Sequence, residues 1–469
     1  MHGSQQVAQS RAFGRETSGP PRCHGRPQSG RITSDIDSLT RDPSTPGPSG
    51  GASLPAKRYH GLDVLRAGMM LFGVWLHAGL SYNGSRPDPY WAIADAPVPA
   101  LTEPVRCASA LFRMQTFFVL AGFFGALLKV RLGICGFLHD RLLRIGAPFL
   151  LGWLILFPAL RMIFVAATSP CGTAAIGSAV MSGRLWADPY PIHLWFLEYL
   201  LIAYLLTLLG LWLWERLGTV WRSFAARIFD RVVRGGLTPL VMVLIALPAY
   251  FVTTQPGTDI PLSFVPRPTS LYAYGLFFGF GWVLSHRIHL LPELARQGPA
   301  WLGIGMILAL VVPGAVPVGA EDPAIATSRP AVPFPWEPKD PEAPPLGRTA
   351  AADWSFPLAA LGNDLVSWMV VLGLIGLALR MPDRSHPWLR YLSHASYWIY
   401  LAHFPVVAGL SLVLMPVPLN GAVKLTLTLA GSLAMLLAAY ELGVRRTWLG
   451  RLLGAQAGPQ PHRIKQARD

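Results

Sequence analysis

The side chains best suited to chemistry in this chain are ionisable residues within long apolar segments. The segment 62–82 is long enough to cross a bilayer, and it contains Arg66 and His77. Ionisable groups at membrane depth are energetically unfavourable, so they usually mark functional sites or wet cavities. Eleven residues advance an α-helix by ~16 Å and turn it through about three turns plus ~20°. We therefore expect Arg66 and His77 to point to the same side, with Gly73 between them leaving room for a ligand.

More ionisable residues recur in the later apolar segments. They are Arg113, Arg161, His193, Glu198, Asp364 and His403. Together with His77 they form an outer tier, if the helices alternate in direction. A histidine in a membrane helix also occurs as a plain helix-to-helix hydrogen bond, and this alternative stays open for each histidine here. Glu198 needs a cationic partner, for which Arg113 and Arg161 are the candidates.

An inner tier consists of Arg66 and two arginines in the sequence RLLR, Arg141 and Arg144. The RLLR arginines are three residues apart, so on a helix they share a face. Each guanidinium can bind phosphate oxygens through two parallel hydrogen bonds. The inner tier therefore predicts a site for a phosphate-bearing ligand. The alternative is ordinary positive charge that flanks a membrane helix on its cytosolic side.

The composition of the chain is that of an all-α integral membrane protein. Hydrophobic residues make up 52% of its 469 residues and charged residues only 14%, against ~25% in ordinary soluble domains. A membrane helix needs ~20 mostly apolar residues. Ten segments are candidates: 62–82, 107–128, 146–167, 193–214, 237–254, 271–286, 299–318, 356–379, 394–415 and 422–443. The sequence predicts ten transmembrane helices.

The distribution of positive charge supports this topology. With a cytosolic N-terminus, 28 of the 39 Lys and Arg residues fall in inside segments and 8 in outside segments. A bias of this kind that alternates from loop to loop indicates that both termini are cytosolic. It also argues against nucleic-acid binding, because the net charge of +14 is spread between apolar segments and forms no single patch.

Three regions are predicted by composition. Residues 1–57 are rich in Ser, Gly, Pro and Arg, which is typical of a disordered cytosolic tail. Residues 58–450 form the membrane domain, with a Pro-rich extracytoplasmic loop at about 319–355 that carries six acidic and three basic residues. Residues 451–469 form a basic cytosolic tail.

Small residues and cysteines give weaker signals. Gly275 and Gly279 form a GxxxG motif, which favours close packing against another helix. Cys107 and Cys171 fall on the same predicted side of the membrane, and whether they pair is left open by the sequence. The histidines and cysteines do not cluster at metal-ligand spacing, so we expect no bound metal.

Five motifs, in order between about residues 58 and 446, resemble those of the acyltransferase 3 family of membrane proteins. They are LDVLR with its R-x10-H spacing, the FF-(S/A)-G helix, R-x-x-R, HLWFL and IYLxH. Within that family, FRMQ, HLWFL and the late YE pair are most similar to the branch that includes glucan biosynthesis protein C. That branch is associated with succinyl transfer to periplasmic glucans. Ala121 stands where the family often has Ser.

The resemblance implies a catalytic role for His77 and Arg66, with Arg66, Arg141 and Arg144 as partners of an acyl-CoA donor. It also implies a bacterial inner-membrane location. The donor would bind from the cytosol and the acceptor hydroxyl, on an extracytoplasmic glycan, from the outside. Among the expected partners are membrane lipid but no nucleic acid, and no cofactor is bound permanently.

Two mechanisms stay open: His77 as general base, or a covalent acyl-histidine intermediate. Arg113 or Arg161 would hold an acidic acyl group or stabilise an oxyanion. His193, Glu198 and His403 would orient His77 or the acceptor.

The competing function is that of a transporter or exporter of a glycan or a small anionic solute. Polytopic proteins with buried charge are common in that class, but transporters often contain internal repeats and paired broken helices. No convincing repeat relates the two halves of this sequence.

Overall fold

The computed structural model of the chain describes residues 59–84, 90–250, 261, 263–311, 355–382 and 386–453. These residues form helices joined by turns and contain no strand. The predicted N-terminal tail, the Pro-rich loop up to residue 354 and nearly all of the C-terminal tail lie outside the described residues.

The helices are numbered in chain order. They are α1 (His60–Gly79), α2 (Pro99–Ala108), α3 (Met114–Arg141), α4 (Ala147–Thr168), α5 (Ala175–Met181), α6 (Trp195–Arg216), α7 (Thr219–Arg234), α8 (Thr238–Tyr250), α9 (Pro268–Ser285), α10 (Leu291–Val311), α11 (Ser355–Leu379), α12 (Pro387–Leu414), α13 (Gly421–Ala439) and α14 (Trp448–Leu452). Single 3₁₀ turns are Leu80–Tyr82, Gly172–Ala174, Arg184–Trp186, Ile192–Leu194 and Ile288–Leu290. Three π-helical segments are Ser109–Arg113, Leu142–Gly146 and Tyr440–Val444.

A helix lies in the described part of each of the ten segments that the sequence predicts to span the membrane. Among the described residues, six continuous helical segments are long and apolar enough to cross a bilayer by length and composition alone. One of them, Pro99–Thr168, contains both the second and the third predicted spans. At its centre Gly133 adopts a φ of 69°, which interrupts the helix. The chain is thus a multi-pass integral membrane protein, and the number ten stays a prediction.

Helix α7 was not predicted. The segment 215–236 lies between the fourth and fifth predicted spans and is too charged to cross a bilayer, yet Thr219–Arg234 forms a four-turn amphipathic helix. A search for apolar runs of ~20 residues cannot find an element that is apolar on one side only.

Helices α3 and α9 approach closely at two glycines, Gly122 and Gly281, which are not the glycines of the GxxxG motif. A Cβ on Gly281 would lie 2.0 Å from the carbonyl oxygen of Val119, and one on Gly122 would lie 2.0 Å from that of Phe278. At Gly275 and Gly279 a Cβ would meet no described atom within 4 Å. The prediction of close packing through GxxxG was therefore wrong, since the packed face lies elsewhere on α9.

A second close contact joins α10 to α11. A Cβ on Gly298 would lie 2.7 Å from the Cα of Gly376, so the two backbones touch. Within α10, Pro299 has no N–H to donate to the carbonyl of Ala295. The Arg380 side chain donates from Nε to that oxygen instead, at 2.6 Å.

The possible disulfide is not formed. Cys107 is buried on α2 and Cys171 is exposed in the loop after α4, and the two are not joined. The sequence placed them on one side of the membrane, which is necessary for pairing but does not bring two Cα atoms within the ~7 Å that a disulfide requires.

We expect Gly281→Ala to destabilise the protein and Gly279→Ala, its neighbour on the same helix, to leave it unchanged or more stable. The added methyl group at 281 collides with the backbone of α3, at a cost of ~1–3 kcal/mol. At 279 the space is open, and Ala is a better helix former than Gly by about 1 kcal/mol. Melting temperatures in one detergent would measure both. Equal melting temperatures for the two variants would contradict the proposed packing.

Candidate active site

The three inner-tier arginines line one cavity. The cavity has a volume of ≈350 Å³, and Arg66, Arg141 and Arg144 contribute to its wall. Apolar and aromatic side chains form most of the remainder, among them Met70 on α1 and Tyr400 on α12. The volume lies in the range of ordinary small-molecule sites. The three arginines of the predicted inner tier thus lie around one cavity, and their role as a phosphate-binding site stays a prediction.

Carboxylates that the sequence analysis did not single out orient the arginines. Asp140 lies between the RLLR arginines: its Oδ2 is 2.5 Å from Arg141 Nη2 and its Oδ1 is 2.9 Å from Arg144 Nε. Arg66 Nη2 lies 3.3 Å from Asp63 Oδ1 and donates to Ser393 Oγ, also at 3.3 Å. Three arginines facing two carboxylates leave one net positive charge at the cavity wall.

The outer-tier histidines meet in a single cluster. The ring centroids of His77 and His403 are 5.1 Å apart, and those of His193 and His403 are 4.9 Å apart. Phe404 packs against both His77 and His193, at 4.7 and 4.9 Å. His193 and His403 are 7% and 2% exposed. Helices α1 and α12 and the turn before α6 thus bring together three histidines that are up to 326 residues apart in sequence.

Backbone acceptors fix the tautomers of two of these rings. His403 Nδ1 lies 2.7 Å from the carbonyl oxygen of Tyr400 and 3.1 Å from that of Ile399. His193 Nε2 lies 3.1 Å from the carbonyl oxygens of Tyr400 and Leu401. A carbonyl only accepts, so both of these nitrogens carry a proton in neutral rings. The remaining nitrogens, His403 Nε2 and His193 Nδ1, are buried acceptors with no hydrogen-bond partner among the described residues.

Pro405 frees one of these acceptors, the carbonyl oxygen of Leu401. A proline within a helix cannot donate to the carbonyl four residues earlier, and for Pro405 that carbonyl belongs to Leu401. The oxygen released in this way accepts the hydrogen bond from His193. This proline, two residues after His403, received no role from the sequence. The i−4 rule was the signal that pointed to Leu401.

Arg113 joins the histidine cluster. A Cβ on Gly73 would lie 2.3 Å from Arg113 Nη1, so the guanidinium fills the space that Gly73 leaves on α1. The room predicted there for a ligand is therefore taken by Arg113. The guanidinium interacts electrostatically with all three histidines. Its Nε has no hydrogen-bond partner among the described residues, and no carboxylate is among its described electrostatic partners.

A π-helical segment presents this arginine. Arg113 ends the π turn Ser109–Arg113, and Arg144 lies in the π turn Leu142–Gly146. π turns shift the side-chain register of a helix and occur frequently at functional sites. No sequence pattern predicts either segment.

Tyr400 connects the cavity to the histidine cluster. Its side chain lines the cavity, and its hydroxyl donates to the carbonyl oxygen of His193 at 3.0 Å. Its own carbonyl accepts from His193 and His403. A tyrosine near the end of a predicted span is typically an interface anchor or a packing residue, whereas Tyr400 lies between the two tiers. Along α1, Met70 lines the cavity, Gly73 contacts Arg113 and His77 contacts His403.

Loops cover the outer side of the cluster. Trp91 packs against Phe404 at 5.2 Å, and its Nε1 donates to Ser81 Oγ at 3.0 Å. The loop is held by a buried ion pair in which Lys424 Nζ lies 2.8 Å from Asp95 Oδ2. Asp95 was not singled out from sequence.

Two residues predicted to act near the acceptor lie apart from the cluster. Arg161 is buried on α4 and donates to the carbonyl oxygens of Arg184 and Ala187 at 3.3 and 3.4 Å, which holds the loop before α6. Glu198 Oε2 is buried on α6 without a hydrogen-bond partner among the described residues. Neither Arg113 nor Arg161 forms the expected ion pair with Glu198, because Arg113 is directed to the histidines and Arg161 to loop carbonyls.

Within the described ranges, no group of three or more His, Cys, Asp or Glu side chains is arranged to hold a metal ion. The three histidines could suggest a metal, but two of their nitrogens donate to carbonyls and Arg113 adds a positive charge beside them. The arrangement is instead suited to proton transfer and to stabilising negative charge.

A family model described as an acyltransferase domain matches residues 59–442, most of the chain. The chain belongs to the acyltransferase 3 family. Membership in this family makes it a membrane acyltransferase, of the class that transfers groups other than aminoacyl groups.

The curated relatives of this acyltransferase 3 protein include glucans biosynthesis protein C from several strains of Escherichia coli. The protein from strain SMS-3-5 is 29% identical over 168 residues, which is 35% of this chain and 41% of the relative. The proteins from strains K12 and O157:H7 give the same identity and coverage. The match therefore spans about two fifths of these relatives. No solved structure matches the chain.

We expect Pro405→Ala to lower acyl transfer without lowering the melting temperature. Alanine restores an N–H that competes with His193 for the Leu401 carbonyl, so the His193 ring loses one of its two acceptors. Alanine is also more favourable than proline in a helix interior by ~3 kcal/mol. Activity and melting temperature would be measured on the same preparations.

The matched control is Pro158→Ala in α4, where the released carbonyl belongs to Leu154, an exposed residue away from the histidines. Loss of activity in both variants to the same degree would show that the effect comes from helix straightening in general.

Proposed function

We propose that this protein is an O-acyltransferase of the bacterial inner membrane that moves an acyl group from cytosolic acyl-CoA to a hydroxyl of an extracytoplasmic glycan. The name of the Escherichia coli relatives suggests a glucan as the acceptor. One observation carries the proposal: an arginine-lined cavity and a histidine cluster lie on one stripe of α1, and Tyr400 contributes to both.

The cavity is suited to the donor. Acyl-CoA carries several phosphates, and Arg141 and Arg144 project guanidiniums with 20% and 51% exposed side chains. A phosphate can replace Asp140 as their partner, since arginine binds both anions with the same geometry. The ~16 Å of helix between Arg66 and His77 would be covered by the pantetheine arm, which brings the thioester towards the histidines.

His77 is the proposed general base. Its Nδ1 is buried without a hydrogen-bond partner among the described residues. His77 removes the proton from the acceptor hydroxyl, and the oxygen bonds to the thioester carbon. The C–S bond then breaks, and the CoA thiolate leaves with the proton that His77 returns. A general base is most effective when its pKa lies near the operating pH, and the ordinary pKa of imidazole is close to neutral.

His193 and His403 are proposed to orient the acceptor. Their free nitrogens, Nδ1 and Nε2, can only accept, so each can bind a sugar hydroxyl or the N–H of His77. A glycan offers many hydroxyl donors. Buried acceptors without a partner are unfavourable, which favours a substrate that satisfies them.

Arg113 is proposed to bind the negative charge of the reaction. A guanidinium without a carboxylate in a low-dielectric site stabilises either the oxyanion of the tetrahedral intermediate or a carboxylate on the acyl group. Arg113 would bind the carboxylate of an acidic acyl group such as succinyl. With an acetyl group, which has no carboxylate, it would stabilise only the oxyanion.

The decisive experiment is acyl transfer by purified protein with acetyl-CoA and succinyl-CoA in parallel, comparing wild type with His77→Ala. We expect turnover in the wild type and a decrease of at least ~10²-fold in the variant, the usual contribution of a positioned base. His77 lies within a packed cluster, so the melting temperature must be measured beside the activity.

A folded His77→Ala protein with full activity would contradict the proposal. If wild-type protein turns over neither donor with glucan acceptors present, but moves a solute across proteoliposomes without acyl-CoA, the transporter hypothesis is favoured. Accumulation of radiolabelled acyl-protein that requires His77 would identify the covalent mechanism.

Gly73→Ala tests the role of Arg113 without changing an ionisable residue. The new methyl group collides with Nη1, at the flexible end of the side chain, so Arg113 must move while the fold adjusts cheaply. We expect kcat to fall and stability to change little. Gly68→Ala, on the same helix with no described atom within 4 Å, is the control. If Gly73→Ala has wild-type kcat with both donors, Arg113 does not act in the transition state.

A further inference from the structure

Helix α7 is an element that the acyltransferase site does not use. It has 16 residues and follows Gly218 directly after α6. It is shorter than the ~20 residues that cross a bilayer, and it carries five charged residues besides its apolar ones. A turn at Gly235 and Gly236, where φ is 69° at Gly236, then leads into α8.

One side of α7 is fixed to the membrane domain. The Phe229 ring packs on Phe280 of α9, with centroids 5.7 Å apart. Asp230 Oδ2 accepts from Arg287 Nη1 at 3.5 Å and lies 3.3 Å from His289 Nε2. Gln297 of α10 donates to the carbonyl oxygen of Val233 at 3.0 Å. Contacts with three other elements hold α7 in one orientation.

A second side of α7 is apolar and exposed. Trp221, Phe224 and Ile228 are 67%, 48% and 41% exposed. Their spacing of three and four residues places them on one stripe of the helix. Large exposed apolar stripes of this kind mark surfaces that are covered in use.

A third side of α7, next to the apolar stripe, is basic. Arg227, Arg231 and Arg234 recur at spacings of four and three residues, and all three are exposed. The helix contains one acidic residue, Asp230, and it faces the membrane domain. The free surface of α7 therefore combines apolar side chains with positive charge only.

We infer that α7 lies in the plane of the cytosolic membrane surface and binds anionic lipid headgroups there. The order of the sides is that of an interfacial helix: the apolar stripe enters the acyl-chain boundary, and the arginines beside it reach the phosphates. Charge complementarity favours an anionic lipid over a second copy of this basic chain. The preceding helix α6 is long and apolar enough to cross the bilayer, and the following helix α8 is a shorter apolar helix. An α7 that joins two such helices would begin and end at the membrane surface.

Spin labels in the full-length chain test this inference. The native cysteines are replaced, and single cysteines are introduced by Phe224→Cys on the apolar stripe and by Ser223→Cys on the exposed polar side. Each labelled protein is reconstituted in phosphatidylcholine with and without phosphatidylglycerol. We expect the ratio of oxygen to nickel-complex accessibility to be several-fold higher at position 224 than at 223. Equal accessibility to the nickel complex at both positions would overturn the inference.

Two charge variants test the lipid class. Arg227→Gln with Arg231→Gln removes the proposed headgroup contacts. The control is Arg216→Gln with Arg222→Gln, which removes the same amount of charge from outside the basic side of α7. Arg216 stacks on Trp212 at 3.9 Å, and Arg222 is partly buried. We expect phosphatidylglycerol to increase the membrane depth of the label at position 224 in the control variant. In the variant that lacks Arg227 and Arg231, the depth of the label should not change with this lipid.

If the two charge variants respond equally to phosphatidylglycerol, anionic headgroups do not bind the α7 arginines. If the label at 224 shows dipolar broadening that vanishes on dilution with unlabelled protein, a second copy covers the stripe and the lipid assignment is wrong. Neither result depends on acyl transfer.

Discussion

The site depends on the need to satisfy backbone and imidazole groups where no water competes. In a bilayer every N–H and C=O must find a partner within the protein. Here one carbonyl, that of Tyr400, accepts from both His193 and His403. These bonds fix which nitrogen of each ring is protonated and turn the other nitrogen into an acceptor. His77 packs against His403, and Phe404 packs against His193, so both contact rings that these hydrogen bonds hold in place.

Charge is compensated differently in the two tiers. The inner arginines are paired with carboxylates, as Arg141 and Arg144 are with Asp140. Arg113 in the outer tier has no such partner among the described residues, and it faces three histidines instead. Buried pairs such as Lys424 with Asp95 contribute to closing the outer face, where an unpaired charge would be strongly destabilising. In the proposed function, the inner tier exchanges its carboxylates for the donor phosphates, and the outer tier binds a negative charge that is present only during reaction.

The sequence predicted the helical membrane fold because apolar length and loop charge are one-dimensional signals. It also predicted that Arg141 and Arg144 share a face, since a spacing of three residues on a helix translates directly into a common direction. Arg66 was grouped with them by its depth in the first span, and all three line one cavity. The sequence grouped His77, His193 and His403 in one outer tier, but it could not show that their rings form one cluster, because contacts between residues 116 and 326 positions away from His77 depend on the tertiary arrangement. The expected partner of Glu198 was wrong for the same reason: sequence shows which charges need partners but not which way the helices turn.

Small departures from helical regularity were also beyond prediction. The π turns that end at Arg113 and contain Arg144 have no composition signal, and α7 is apolar on one side only. The close contact is made by Gly122 of α3 and Gly281 of α9, which lie on the facing sides of the two helices. The GxxxG pair lies on another side of α9. A motif gives spacing along one helix, whereas packing depends on the rotation of two.

Pro405 has a consequence for how this region tolerates sequence change. The oxygen that it releases belongs to the backbone of Leu401, so any residue at position 401 presents the same acceptor to His193. The orientation of the ring is therefore encoded at position 405 and not at the residue that it touches. Drift at 401 would leave the ring where it is, within the limits of packing. A single codon at 405 carries the geometric information, and a scan for contacting side chains would pass over it.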